Sequence, residues 1–130
     1  MESYQNEQQK LYLEELKEVS KRRSLRNVTL LSAMIEAHIF SLAKTFLEKK
    51  GVIYSPSEFD EYRMSINILK SNNLLSPDEL RDVNEFRRYR KEIFHNLFKG
   101  KLTRAGLNDN INKAWTIGKK VVKKLSLKQL

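Results

Sequence analysis

Both prolines of this 130-residue chain stand directly after a serine and two positions before a glutamate, in Ser55-Pro56-Ser57-Glu58 and Ser76-Pro77-Asp78-Glu79. Serine as cap, proline at the first helical position and glutamate at the third form the box that satisfies amides left without partners at a helix start. Only four glycines occur, apolar residues recur every three or four positions, and β-branched alternation is scarce. The pattern predicts an all-α fold, an up-and-down bundle of four to five helices in a single domain over residues 1–130, with 1–24 as a peripheral N-terminal helix.

The first predicted helix covers residues 4–22, with Leu11, Leu16 and Val19 as its apolar stripe. The second, 25–49, carries Val28, Leu31, Ile35, Leu42 and Phe46 on one face and stops at Gly51. The third runs from Pro56 to about Asn72 with Phe59, Met64, Ile68 and Leu69 facing inward. The fourth spans 77–98 with Leu80, Val83, Ile93 or Phe94, and Leu97 inward, and ends at Gly100. A fifth helix starting near Asn108 or Asp109 sets Ala114, Trp115, Gly118, Val121, Val122 and Leu125 against Lys119, Lys120, Lys123 and Lys124.

Lys and Arg number 25 against 16 Asp and Glu, a formal charge of +9 that favours polyanionic partners. Almost all of the excess lies beyond residue 98, where Lys99, Lys101, Lys119, Lys120, Lys123 and Lys124 offer a phosphate-tracking surface or simply a solvated helix face. Cysteine is absent, which excludes a disulfide framework, a thiolate nucleophile and a zinc-thiolate site. No metal site or cofactor is expected. The N-terminus has neither a basic nor an apolar leader segment, and no run of about 18 apolar residues occurs, so the expected setting is cytoplasmic and without membrane.

Chemistry concentrates in residues 86–98, where Arg87, Arg88 and Arg90 precede His95, one of only two histidines. Imidazole titrates near neutrality and guanidinium forks onto phosphate oxygens, so together they can move a proton and stabilise a phosphoryl transition state. Each helical residue advances about 100°. Arg88 and His95, seven apart, therefore return to within roughly 20° of one face, about 10 Å apart along the axis. Arg90 and His95, five apart, lie about 140° around and converge only near a helix end, a distortion or another chain. The competing reading is a solvated helix face in which Arg87, Arg88 and Arg90 pair with Glu85 and Glu92, beside a partly buried His95 and an Asn96 that belongs to the helix exit. His38, with Leu31, Ile35 and Leu42, reads as a core histidine.

Arg90-Lys91-Glu92-Ile93-Phe94-His95 resembles the signature of HEPN domains, Arg, four to six residues, then His; Arg88 to His95 fits its longer spacing. The resemblance extends to organisation, with a long apolar helix containing Glu36 before the signature helix and an amphipathic helix after it. Lys91 stands where the motif commonly has Asn, Asp or His, and His95-Asn96-Leu97 lacks the tyrosine of the toxin branch paired with nucleotidyltransferase antitoxins. The resemblance implies metal-independent cleavage of single-stranded RNA by 2′-hydroxyl attack, with His95 moving the proton and Arg90 stabilising the phosphoryl charge. Arg88, Glu36 and Asn96 would support them, and Arg87 and Lys91 would join the other basic residues in binding RNA. One motif histidine per chain implies a homodimer, in which arginines of both copies would share one cleft. A toxin or phage-defence role follows from the same resemblance, with a protein antitoxin or regulator as a further partner. The alternatives are a non-catalytic HEPN-like module that binds RNA or protein, and a DNA-binding transcription factor, for which the fifth helix lacks an Asn, Gln and Arg cluster.

Overall fold

Five helices run along the chain: α1 (Glu2–Lys21), α2 (Leu25–Lys49), α3 (Glu61–Ser71), α4 (Pro77–Phe98) and α5 (Arg104–Ser126). The computed structural model describes the backbone of residues 2–101 and 103–128 and the side chains of 10–128 other than those at 12, 16 and 102, so the predicted inward Leu16 lies outside the described side chains. The protein is an all-helical bundle, with no strand among the described residues.

The two Ser-Pro boxes part company. At Ser76 the box closes in both directions: the Glu79 amide donates to Ser76 Oγ at 3.1 Å and the Ser76 amide donates to Glu79 Oε1 at 2.9 Å. The same Glu79 accepts from Lys128 Nζ at 2.9 Å, tying the start of α4 to the end of α5. Burial raises the Glu79 pKa, but the hydrogen bonds from Lys128 and Ser76 outweigh it and hold the carboxyl below its ordinary value. At Ser55 no helix starts. Tyr54 is buried, its hydroxyl 2.7 Å from Ser65 Oγ on α3, and that anchor holds the following residues in a loop until Asp60. Phe59, expected in the core, is consequently 97% exposed, and Met64 is exposed as well.

Helix α5 also starts earlier than its Asn and Asp residues suggest. Thr103 caps it, with Oγ1 accepting from the Gly106 amide at 3.0 Å, while Asp109 sits inside the helix and pairs with Lys113 at 3.0 Å. Helix α2 is capped by Ser24, whose Oγ accepts from Asn27 at 3.1 Å.

Helix α2 is central. It packs against α3 and α5, α4 packs against α5, and α1 touches α2. Val28, Leu31, Ile35, Ile39 and Ala43 of α2 meet Leu69 of α3, Val83, Phe86 and Ile93 of α4, and Ala114, Val121, Val122 and Leu125 of α5 in one continuous core. Each large side chain so removed from water contributes about 1.5–3 kcal/mol before entropy is set against it. By length and apolarity α2 could cross a membrane, but its apolar stripe is the one buried against α3 and α5.

Helix α1 lies on the rest by its C-terminal end. Val19 is buried and its carbonyl accepts from Trp115 Nε1 at 3.0 Å, whereas Leu11 and Leu13 are exposed, so the expected Leu11 stripe is not buried. Just past α1, Arg23 donates to Asn112 at 2.7 Å and lies 5.6 Å from the Trp115 ring.

Candidate nucleic-acid interface on the fourth helix

Helix α4 works differently along its length because its buried and exposed residues follow different stripes. Asp82, Val83, Phe86 and Ile93 turn inward. Near its start, buried Asp82 faces Lys120 at 3.2 Å and Lys124 at 4.0 Å across the contact with α5. From Asn84 onward the outward stripe takes over. Asn84, Arg87, Arg88, Arg90, Lys91, Phe94, His95 and Phe98 line one open depression of about 760 Å³.

The three arginines have different partners. Arg87 stacks over Tyr62 of α3 at 3.6 Å and lies 3.6 Å from Glu36 of α2, so Glu36 does reach α4, but at Arg87. Burial raises the Tyr62 pKa, with the Arg87 charge opposing it. Arg88 pairs with Glu92 one turn on, at 3.3 Å, and lies 4.7 Å from the Tyr89 ring. Arg90 has no acidic partner among the described residues. It lies 5.5 Å from the Phe94 ring, and its Nε is buried without an acceptor.

His95 is exposed, its backbone carbonyl accepting from the Lys99 amide at 3.2 Å. Arg88, Lys91, Glu92, His95 and Asn96 also line a second, smaller depression of about 400 Å³. Arg88 and His95 therefore share a face, as a seven-residue spacing requires. Arg90 reaches the larger depression too, because its long side chain leans across Phe94. His38 is half-buried on α2, and burial lowers its pKa.

The basic residues fall into separate groups. Lys91 lines both depressions on α4, and Lys99 and Lys101 are exposed just beyond its end. Lys119, Lys120 and Lys123 line another depression, formed with α1 residues Leu13 and Ser20. There Lys119 sits 3.4 Å from the Trp115 ring, while Lys120 and Lys124 face Asp82.

The sequence reading did not single out Asn84 or Phe98 at this site. Phe98 follows Phe94 by four positions, a spacing that stacks side chains on one helix face, and the two ring centroids lie 6.3 Å apart at 25°. That aromatic step beside a basic run was the available signal.

Comparison of the chain with models of protein families, with curated proteins and with solved structures finds no match. The functional reading therefore rests on the residues themselves.

Proposed function

We propose that this protein is a HEPN-like, metal-independent endoribonuclease that cleaves single-stranded RNA as a homodimer. One observation carries the reading: Arg90 alone among the three arginines is left without a carboxylate among the described residues, and it shares an open depression with an exposed His95. A charged guanidinium fork that faces no carboxylate is suited to phosphate oxygens.

In the reaction the imidazole of His95 takes the 2′-hydroxyl proton as the oxygen attacks the adjacent phosphorus. The bond from phosphorus to the 5′-oxygen breaks, and that oxygen receives a proton from the imidazolium of a second copy's His95. A cyclic phosphate and a free 5′-hydroxyl result. Arg90 stabilises the charge gathering on the phosphoryl oxygens, joined by Arg88 once it leaves Glu92. The proposed setting is the cytoplasm, in a toxin or phage-defence role.

Wild-type protein in EDTA is expected to cleave single-stranded RNA and leave cyclic phosphate ends. Arg90→Ala and His95→Ala should each abolish cleavage while the helical circular dichroism is retained. Robust cleavage by purified His95→Ala overturns the mechanism. A molar-mass measurement at micromolar concentration tests the dimer, and a strict monomer that cleaves removes the composite site. A non-catalytic module that binds RNA or protein is the second reading, favoured by the carboxylates already facing Arg87 and Arg88. It predicts binding with no cleavage by any variant.

A further inference from the structure

Phe98 is 82% exposed at the end of α4, although an apolar ring in water gives up the free energy that burial would supply. Its inner side is not free: Phe94 stacks against it at 6.3 Å, and Phe94 in turn carries the Arg90 guanidinium at 5.5 Å. Arg90, Phe94 and Phe98 thus form a ladder along one side of the depression, with the outer part of Phe98 as its open rung.

The surroundings of that ring are cationic. Lys91 lines the same depression, and Lys99 and Lys101 are exposed just beyond it. The nearby carboxylate, Glu92, already faces Arg88 at 3.3 Å. An exposed aromatic face bordered by cations is the combination that single-stranded nucleic acid recognises, because every base has a face to stack and every nucleotide a phosphate to neutralise. Phe98 lies three positions after His95, about 4.5 Å along the axis, so a base on this ring belongs to a nucleotide next to the phosphate at His95.

We infer that Phe98 is a base-stacking platform that positions single-stranded RNA by holding one base beside the phosphate gripped by Arg90 and Lys91. This rests on the RNA reading of the α4 depression and adds a positioning residue to it. Phe98 does not itself take part in the proton transfers. Stacking on a π-face tolerates any base, so the contact selects unpaired strands over duplex without selecting a sequence.

The test uses the full chain and a short fluorescent single-stranded RNA with 2′-O-methyl groups, which has no free 2′-hydroxyl to attack and so reads binding without cleavage. A matched strand of abasic nucleotides serves as the control. Phe98→Leu keeps an apolar side chain of similar bulk but removes the π-face, and Phe98→Trp restores one. Phe98→Leu should weaken binding to the base-bearing strand about tenfold, with Phe98→Trp at or above wild type. Binding to the abasic strand should be alike in all three proteins. Equal affinity of wild type and Phe98→Leu for the base-bearing strand overturns the platform and leaves the nuclease proposal standing. Failure of wild type to bind either strand overturns both. Loss of self-association in Phe98→Leu, seen as a halved molar mass, assigns the ring to contact between copies and overturns its role with bases.

Discussion

Replacing Gly118 with alanine should destabilise the protein even though alanine is the better helix former. Gly118 is buried within α5, where it meets α2 and α4. A Cβ added there would come within 2.7 Å of Phe86 Cε2 and 3.1 Å of both Phe86 Cδ2 and Leu31 Cδ1. Neither neighbour has free space to retreat into, since Phe86 and Leu31 are fully buried. Helix propensity favours alanine by about 0.8–1 kcal/mol, and forcing a methyl into a packed core costs about 1–3 kcal/mol. A 2.7 Å approach to a ring carbon is far inside van der Waals contact and draws on the upper part of that range, about 2–3 kcal/mol, so the net expectation is a loss of about 1–2 kcal/mol, a fall in Tm of roughly 4–7 °C for a chain of this size. Thermal and urea unfolding followed by circular dichroism measure it. Phe86→Leu, which removes the colliding ring atoms, should be less damaging in the Gly118→Ala background than alone, a non-additivity that identifies the contact. A Gly118→Ala protein more stable than wild type would refute the reasoning, because it would mean that α4 and α5 do not approach this closely.

Two other perturbations bear on charge. Burial lowers the His38 pKa, so the unfolded chain takes up the proton first as pH falls; this group's contribution is complete above about pH 6.5 and is lost progressively below it. His38→Gln should therefore flatten the decline in urea midpoint between about pH 7 and pH 5, and an unchanged decline would remove His38 from the acid limb. For single-stranded RNA, Lys91→Gln should weaken binding and lower the salt slope by about 0.7, whereas Lys120→Gln with Lys124→Gln should change binding less, because those two lysines already face Asp82. A larger effect from the α5 pair, in affinity measured across salt concentrations, would move the principal RNA surface to that helix.

What the sequence disclosed depended on whether local chemistry and tertiary packing agreed. Residues 25–49 and 77–98 become helices with those bounds because periodicity, cap and stop signals coincide, down to the left-handed Gly51 and Gly100 just past their ends. Ser55-Pro56 carries the same local signal as Ser76-Pro77, yet the bond from Tyr54 to Ser65 makes a loop there, and no local rule includes a partner eleven residues away. Thr103 was hidden for the opposite reason: Gly106 at the third helical position looks like loop chemistry, while Asn108 and Asp109 look like caps. Phe86, the largest fully buried side chain among the described residues, is masked in the sequence by the arginine run it adjoins. At the site, helical phase predicted that Arg88 and His95 share a face, but it could not assign Glu36 and Tyr62 to Arg87, since those contacts join three helices.

Those contacts rank the arginines by how readily each can turn to a phosphate. Arg87 would have to leave a ring at 3.6 Å and a carboxylate at 3.6 Å, both on other helices, so moving it also loosens the packing of α4. Arg88 has only an exposed pair with Glu92 within its own helix, an interaction contributing about 0–1 kcal/mol, and a bidentate phosphate contact is stronger. Arg90 has no carboxylate to leave, and its buried Nε lacks an acceptor among the described residues. Tethering therefore decreases from Arg87 to Arg88 to Arg90. That order follows the sequence toward His95, with the most restrained cation fixing the helix and the least restrained lining the depression it shares with the group proposed to move the proton.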